Sequence, residues 1–403
     1  MSLARERGDW KATAARWSGH GLLFILGWIP LVAYLAPLGF SPLVGLGGLI
    51  AVPLLIKDRR IDLWPLAILA LVLAWMTLSY LWSPFHPSKL PNAIALKLLL
   101  QIAGGLSMVA GLAALPPHLA RRGAVILAVG LALLSLLLIA DALAGAGIYQ
   151  ALKVMIGQPI RPDLARRNIA GAAYAIALLF WPAAQAASRL GWRVAIVPLA
   201  LMAGAVLAAE RLLGADAPLY ALIAGGVVWL TVRWIGSAAA RLLLALGVAV
   251  FTLAPLLILE SLRNGTIAKL HQHVAASWAA RLDIWSFAAA MAAHHPLRGW
   301  GIDASRTFGI AIPLHPHNAA LQIWLELGAP GAALAAALTG WIAATLAVLA
   351  RANPSHAAAG AGALTAYLII GGISFGVWQE WWVALGFLTV ATLAMLRRAW
   401  PSA

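Results

Sequence analysis

The chain has 403 residues, of which 63% are hydrophobic and only 10% are charged, whereas soluble domains average about 45–50% and about 25%. Too few charged side chains are present to cover the surface of a water-soluble protein of this size. Apolar runs of about 17–25 residues recur along the whole length, and each can cross a hydrocarbon core of about 30 Å as a helix. Composition therefore predicts an all-α, polytopic membrane protein, and the lack of cysteine excludes no compartment.

The formal net charge is +15 at pH 7. In a soluble protein this excess of basic residues would suggest binding to nucleic acid, but in a membrane protein the basic residues lie in loops and orient the chain. We therefore expect membrane lipids, and no nucleic acid, around the protein. Residues 1–20 lack the apolar stretch of a cleavable signal peptide. They predict a cytoplasmic N-terminal tail with four basic side chains, Arg5, Arg7, Lys11 and Arg16.

Apolar windows between charged residues predict about twelve transmembrane helices. They lie near residues 21–38, 42–56, 64–82, 94–114, 123–146, 169–187, 193–210, 218–234, 241–259, 329–350, 358–376 and 380–397. Helices 1–9 would occupy residues 21–259 and helices 10–12 residues 329–398, before a cytoplasmic tail at 399–403. Lys97 falls inside the fourth predicted span, where it would either line a polar cavity or extend to an interface.

The distribution of basic residues predicts the orientation. About 16 of them fall on the side of the N-terminus and about 11 on the other side. Nearly all short loops on the first side are basic, whereas most of the opposite charge lies in two long segments, 147–168 and 260–317, to which the orientation rule applies weakly. We therefore expect both termini in the cytoplasm. The second segment is unusually long for a connection, and residues 260–328 are predicted to form a large periplasmic loop that contains short helices and the functional site.

Within this loop, residues 278–293 show helical periodicity, and Ser277 precedes them in the position of a helix cap. The residues Trp278, Leu282, Trp285, Ala289 and Ala292 share one face. Arg281 follows Trp278 by three positions and precedes Trp285 by four, so the two indoles are predicted to flank its guanidinium group. Arg281 is then either an arginine packed at the membrane interface or part of a fixed site for an anion.

A turn-rich stretch, His-Pro-Leu-Arg-Gly-Trp-Gly, follows at residues 295–301. Beyond it, residues 318–350 have a helical pattern that would be about 50 Å long, which exceeds the thickness of a bilayer. Gly328 and Pro330 are predicted to break this helix. Its first ten residues would then form a short helix at the outer membrane surface, with His317 at the N-terminal end, where the helix dipole favours anions.

These motifs together resemble the O-antigen ligase and polymerase superfamily of integral membrane glycosyltransferases. The specific similarity covers residues 280–331, and it is carried by Arg281, Trp285, residues 296–301, His317, Asn318, Leu321 and the triplet Glu326-Leu327-Gly328. Members of this superfamily transfer a glycan from an undecaprenyl diphosphate carrier onto an acceptor sugar or, in one branch, onto a protein. The resemblance implies that His317 is essential, together with arginines that face the outside.

Two further arginine positions are carried over from the resemblance. Arg167-Asn168, at the start of the sixth span, resembles an arginine-asparagine pair of the family, and Arg166 lies beside it. Arg211 resembles an arginine at the outer end of the following span. The family usually has a small polar residue before that arginine, whereas this chain has Glu210, whose carboxylate would neutralise Arg211.

The chemistry of the expected reaction suits these residue types. A lipid diphosphate leaves readily if its developing negative charge is stabilised, and the forked guanidinium groups of Arg281, Arg211 and Arg167 match phosphate oxygens. The acceptor hydroxyl must lose a proton, and His317 is the candidate general base. The remaining candidates for substrate contact are Arg166, His315, Asn318 and Trp285. No metal and no cofactor are expected.

The sequence also allows other roles for several of these residues. His315 and His317 could bind zinc with His294 or His295, although no third ligand is evident. His317 could instead be purely structural, and Asn318 has the character of a helix cap. Glu326 would be a helix-end residue, or would orient His317 or an arginine.

Three reactions of the superfamily share the same donor. Transfer onto the lipid A-core at the periplasmic face of a bacterial inner membrane is favoured over polymerisation of glycan units and over transfer onto protein. A secondary transporter is the alternative from another class, for which charged or broken helices are expected near the middle of the bilayer.

Overall fold

The computed structural model describes residues 2–55 and 63–400, and this part of the chain contains fifteen α-helices and no β-strand. The helices are α1 (Ser2–Leu35), α2 (Phe40–Leu55), α3 (Leu63–Ser79), α4 (Ile94–Ala113), α5 (Pro117–Leu143), α6 (Gly147–Met155), α7 (Pro162–Arg189), α8 (Trp192–Leu213), α9 (Asp216–Ile235), α10 (Ser237–Arg263), α11 (Thr266–His271), α12 (Ala276–His294), α13 (Ala319–Ala352), α14 (Pro354–Ile373) and α15 (Glu380–Ala399).

The predicted fold class, an all-α polytopic membrane protein, is confirmed. Eleven of the described helices are long and apolar enough to cross a membrane, and α3 is a shorter apolar helix at the place of the third predicted span. The apolar part of α1 starts at Thr13, so the first span begins earlier than residue 21. The predicted basic loop with Lys57, Arg59 and Arg60, and residues 401–403 of the predicted C-terminal tail, lie outside the described residues.

The bundle has two ends, which we call the loop end and the terminal end. The loop end carries the connections 80–93, 144–161, 264–318 and 374–379, and hydrogen bonds join them; for example, the Ser83 hydroxyl donates to the Ile302 carbonyl over 2.7 Å. The terminal end carries both ends of the described chain, where the Arg121 Nε atom donates to the Ala399 carbonyl over 3.0 Å. All the candidate site residues therefore lie at the loop end. Arg211 lies at the end of α8, beside the short connection to α9, and each of the others belongs to one of these connections or to the first turns of the adjoining helix.

Helices α7 and α14 are the most buried spans, and α8, α9 and α10 are the most exposed. Close approach between helices depends on small residues, as expected for packing in lipid. A Cβ atom on Gly48 of α2 would overlap the backbone of Gly104 in α4. The two backbones therefore touch only because neither residue has a side chain.

Candidate active site

Helix α13 is interrupted at Gly328, as predicted, where the backbone angles are φ 63° and ψ −159°. The interruption frees backbone groups, and the turn-rich stretch 295–301 supplies their partners. The bonds run from the Trp300 amide to the Leu325 carbonyl, from the Gly301 amide to the Glu326 carbonyl and from the Ala329 amide to the Pro296 carbonyl, each over 2.8 Å. The two sequence motifs, the turn and the break, therefore form one interlocked structure.

Two glycines of these motifs have positive φ angles and touch backbone atoms. A Cβ atom on Gly299 would lie 2.5 Å from the Glu326 carbonyl oxygen, and one on Gly328 would lie 2.7 Å from the Gly299 nitrogen. Any side chain at either position would be strained by its φ angle and would also overlap the opposite chain. The glycines therefore allow the interlock.

The short helix before the break begins at Ala319, and the Asn318 side chain caps it by accepting from the Leu321 amide over 3.0 Å. His317 precedes this cap, as predicted. Most side chains of this short helix are buried inside the protein, including Leu321, Leu325 and Glu326. They pack inward because α10, α12 and the turn-rich stretch cover this segment.

His317 is partly buried at the loop end, and a residue that is distant in the sequence fixes the orientation of its ring. Its Nδ1 atom lies 2.6 Å from the carbonyl oxygen of Ser374, in the connection between α14 and α15. A carbonyl only accepts, so Nδ1 carries the proton and Nε2 is left as an acceptor. Burial lowers the pKa of His317, the Ser374 carbonyl raises it, and the positive charge of Arg281 lowers it further, with a net decrease.

His315 packs against His317, and the ring centres of the two histidines are 4.2 Å apart. Its Nδ1 atom accepts from the His317 backbone amide over 3.2 Å, which places the proton on Nε2. Nε2 lies 3.1 Å from the side-chain amide of Gln379, whose oxygen must face the ring in order to accept from the Nε2–H group. Burial lowers the pKa of His315 to about 3, so this ring is neutral and both its nitrogens are engaged.

Arg281 lies on α12, with its guanidinium carbon 4.9 Å from the centre of the Trp278 ring. The Trp278 indole is itself fixed, because its Nε1 atom donates to Asp216 over 2.8 Å. The predicted second flanking contact is wrong: the Trp285 indole instead donates to the Pro316 carbonyl over 3.0 Å. Trp278 thus orients the arginine, and Trp285 holds the chain immediately before His317.

The predicted cap of this helix is also wrong. Helix α12 begins at Ala276, one residue before Ser277, and no side chain caps it. The expected buried face is confirmed at Leu282, Ala289 and Ala292. Ser277 instead lies inside the first turn, where its carbonyl accepts a long, 3.5 Å bond from Arg281.

The other candidate arginines lie around the same end of the bundle. Arg211 forms a 3.0 Å ion pair with Glu210 at the end of α8, as the sequence suggested, and its side chain is 73% exposed. A two-residue connection leads from α8 to Asp216, the residue that holds Trp278. Arg166 and Arg167 are exposed in the first turns of α7. Their guanidinium groups are therefore open to a ligand at this end.

A buried carboxylate fixes the start of α7 and was not identified from the sequence. Asp141 is fully buried and accepts from the Tyr34 hydroxyl over 2.6 Å and from the Ile148 amide over 2.7 Å. It thereby holds α6 against α1, and Tyr149 of α6 contacts the side-chain amide of Asn168 over 3.3 Å. A single carboxylate in the apolar α5 was the available sequence signal.

A second cationic group lies on the other side of the histidines. Arg306 forms a 3.0 Å ion pair with Asp303 and lies 5.5 Å from the centre of the Phe85 ring. Burial raises the pKa of Asp303, and Arg306 opposes that increase. The positive charge of Arg306 also contributes to the low pKa of His315. Basic side chains therefore flank the histidine pair on two sides, at Arg281 and at Arg306.

Within the described residues, no three His, Asp or Glu side chains are grouped closely enough to hold a metal ion. His315 and His317 contact each other, but their bonded nitrogens face Gln379, the backbone amide of His317 and the Ser374 carbonyl. The chemistry that the geometry offers is proton acceptance at Nε2 of His317, close to a fixed guanidinium group.

Comparison with known proteins shows which family the region around this site resembles. Residues 164–336 match the family model described as O-Antigen ligase. The resemblance to the O-antigen ligase superfamily is confirmed. The matched region contains Arg167, Arg211, Arg281 and His317.

Curated relatives from Rickettsia carry the name "Putative polysaccharide ligase". The protein of Rickettsia bellii is 30% identical over 187 residues, which are 43% of this chain and 45% of the relative. The protein of Rickettsia conorii is 27% identical over 186 residues, 43% of this chain and 44% of the relative. That of Rickettsia typhi is 33% identical over 134 residues, 30% of this chain and 33% of the relative. The chain therefore spans less than half the length of these relatives.

Residues outside the matched region also contact the candidate site. Ser374 and Gln379, which bond to the two histidines, lie in the connection between α14 and α15. Lys97, the basic residue inside the fourth span, forms a 2.9 Å ion pair with Glu380 at the start of α15. Lys97 lies in the first turn of α4, and the two paired side chains are 38% and 34% exposed.

Proposed function

We propose that this chain is a glycosyltransferase that moves a glycan from an undecaprenyl diphosphate carrier onto the lipid A-core, with His317 as general base. The observation that carries the proposal is the bond from His317 Nδ1 to the Ser374 carbonyl. It gives the ring the tautomer in which Nε2 accepts a proton. Similarity to the O-antigen ligase family supports the reaction class.

In this reaction the acceptor hydroxyl transfers its proton to Nε2 of His317 while its oxygen bonds to the anomeric carbon of the donor. The bond between that carbon and the diphosphate oxygen breaks, and its electron pair stays on the diphosphate. A base must be neutral to accept a proton, and burial holds the pKa of His317 below its usual range. His317 is therefore ready to act at neutral pH.

The negative charge that develops on the leaving diphosphate would be stabilised by Arg281. Its guanidinium group is oriented by Trp278 and lies close enough to His317 to lower the pKa of that ring. A pre-oriented guanidinium group can donate two parallel hydrogen bonds to phosphate oxygens. Arg166 and Arg167 supply further positive charge for the donor, whereas the Glu210 carboxylate neutralises Arg211.

The periplasmic face of a bacterial inner membrane is the proposed location of the site. Short basic connections remain on the cytoplasmic side of membrane proteins. The terminal end carries ten described arginines: Arg16, Arg121, Arg122, Arg189, Arg193, Arg233, Arg241, Arg351, Arg397 and Arg398. Most basic residues of the loop end lie instead in the two long segments 147–168 and 260–317. This asymmetry supports cytoplasmic termini and a periplasmic loop end.

The acceptor distinguishes ligation from the other reactions of the superfamily. The name of the relatives, which refers to polysaccharide ligases, favours transfer onto a finished acceptor such as the lipid A-core. The test is to delete the gene and analyse the glycans of the strain. Ligation predicts accumulation of full-length glycan on the undecaprenyl carrier and lipopolysaccharide that lacks it, both restored by the wild-type gene.

Two other results would contradict the proposed acceptor. Accumulation of single repeat units on the carrier would identify a polymerase, and loss of glycan from a periplasmic protein would identify transfer onto protein. The complemented strain also tests whether catalysis needs a metal ion. Membranes isolated from it contain the wild-type protein and should transfer glycan in the presence of a chelator. Loss of transfer in chelator and recovery with zinc would replace the proposed base by a metal site.

A further inference from the structure

Glu326 is a fully buried carboxylate at the break of α13, and it accepts hydrogen bonds from four directions. Its Oε1 atom accepts from the Ser305 hydroxyl over 2.6 Å and from the Gln322 amide over 3.1 Å, and its Oε2 atom accepts from the Asp303 backbone amide over 3.1 Å and from the Trp378 indole over 2.6 Å. A carboxylate has about four acceptor positions, so the capacity of this group is used completely.

These four donors belong to three different segments of the chain. Ser305 and Asp303 lie in the turn that also contains Arg306. Trp378 lies in the connection 374–379, and Gln322 lies one helix turn before Glu326. Gln322 extends the network to that same connection, because its side-chain oxygen accepts from the Val377 amide over 3.0 Å.

The connection 374–379 is the segment that holds the histidines. Its first residue, Ser374, provides the carbonyl for His317, and its last, Gln379, contacts His315. The connection has no regular secondary structure over most of its length. Its position at the loop end therefore depends on side-chain bonds, and those from Trp378 and Gln322 converge on Glu326.

We propose that Glu326 is a positioning residue for the transfer reaction: its carboxylate holds the connection 374–379 in the register that places the Ser374 carbonyl on the ring of His317. This inference rests on the proposed function of His317. The carboxylate itself does not touch substrate. It acts through Trp378 and Gln322 on the tautomer and the orientation of the base.

Only an acceptor fits the centre of this network. A glutamine at position 326 would replace one acceptor oxygen by an NH₂ group, and that group would face at least one of the four donors. A buried donor left without an acceptor costs about 1–3 kcal/mol. The network would rearrange to avoid that cost, and movement of the connection 374–379 would follow.

The experiment compares Glu326→Gln, Trp378→Phe and Ser305→Ala in purified protein reconstituted into lipid vesicles. The substrates are undecaprenyl-diphosphate-linked glycan and lipid A-core from the source bacterium, and Glu260→Gln, at an exposed carboxylate, is the matched control. Glu326→Gln and Trp378→Phe should lower kcat by about 10- to 100-fold, as expected for a misplaced catalytic group, with KM for the donor unchanged. Ser305→Ala leaves the hydrogen bond between Trp378 and Glu326 in place, so the kcat of this variant should stay close to that of the wild type.

A second readout separates positioning from a general structural role. The Ser374 carbonyl raises the pKa of His317, so loss of that bond should move the acidic limb of the kcat profile to lower pH in Glu326→Gln and Trp378→Phe. The other groups near His317 are Arg281 from α12, His315 from its own segment and Tyr174 from α7, which packs against the same connection. None of these three is substituted in the variants.

Several outcomes would overturn the inference. One is wild-type kcat in both Glu326→Gln and Trp378→Phe. Another is a loss of rate that is equal at every pH and proportional to the loss of folded protein. This result would show that Glu326 has only a structural role. Equal losses in Ser305→Ala and Trp378→Phe would also contradict it. If Glu326→Gln does not fold, the other two variants decide. Failure of the wild type to transfer glycan, by contrast, would reject the proposed function itself.

Discussion

The Nδ1 atom of His317 lies 2.6 Å from the carbonyl oxygen of Ser374, although 57 positions separate the two residues along the chain. This bond determines which ring nitrogen carries the proton, and hence which one is available to a substrate. His315 and Gln379 support the same arrangement from the neighbouring positions. A base with a fixed tautomer needs no reorientation before it accepts a proton.

Substitution of His317 tests its role as the base. His317→Ala should lower transfer by about 10²–10⁴-fold, the usual contribution of general base catalysis, while thermal stability and donor binding stay close to those of the wild type. His294→Ala is the matched control, because His294 is exposed and its ring bonds only to the carbonyl one helix turn earlier, at Ala290. Equal loss of stability and activity in His317→Ala would instead indicate a structural histidine.

The pH dependence of transfer should reflect the environment of this ring. His317 must be neutral to act, so the rate should fall as the pH drops through its pKa. Burial and the positive charge of Arg281 lower that pKa, so half-maximal activity should occur below about 6.5, the ordinary value for histidine. The measurement is kcat against pH for the purified protein. An acidic limb centred above pH 6.5 would contradict the assignment.

The role of Arg281 is tested by a variant that keeps the positive charge but replaces the planar guanidinium group. Arg281→Lys should lose most transfer activity, because an ammonium group cannot reproduce two parallel hydrogen bonds to a diphosphate. The control is Arg263→Lys, at an arginine whose side chain is 79% exposed at the end of α10. Near-normal transfer by Arg281→Lys, at an unchanged protein level in the membrane, would reduce Arg281 to a packing role against Trp278.

The proposed orientation is accessible to labelling, because the chain contains no cysteine. Single cysteines in place of Gln272, at the loop end, and Ala238, at the terminal end, are both at exposed positions. In intact cells whose outer membrane is permeable, an impermeant thiol reagent should label only the first. Labelling of the second alone would place the loop end in the cytoplasm and would contradict a periplasmic reaction.

The interlock between the turn-rich stretch and α13 should not tolerate a side chain at Gly328. Gly328→Ala introduces a Cβ atom 2.7 Å from the Gly299 nitrogen at a positive φ angle, and a non-glycine residue in such a conformation alone costs about 1–3 kcal/mol. We expect a lower unfolding temperature and loss of transfer. Gly45→Ala, where a Cβ atom has no neighbour within 4 Å, should be neutral or stabilising. Equal stability of both variants would show that the backbone contact is not required.

The sequence predicted the spans well, because each requires only a long apolar run and such a run is a local property. It also predicted the break at Gly328, the cap at Asn318 and the ends of α12 to within a few residues. The candidate residues Arg281 and His317 could be named because their motifs lie within a short stretch of the chain. The local pattern does not show where a buried face will dock, so the packing of the short helix after His317 against α10 and α12 was not predicted.

Tertiary structure alone decided which residues surround His317. Ser374, Gln379 and Trp378 lie about 60 positions beyond His317, and Asp141 is linked to Tyr34 across more than 100 positions. Nothing local marks a backbone carbonyl as the partner of a ring, since every residue has one. The sequence by itself therefore determined an all-α membrane protein with a long loop between helices, because hydropathy and turn chemistry act over short distances. Packing determined the tautomer of His317 and the network around Glu326, because these hydrogen bonds form only when distant segments meet.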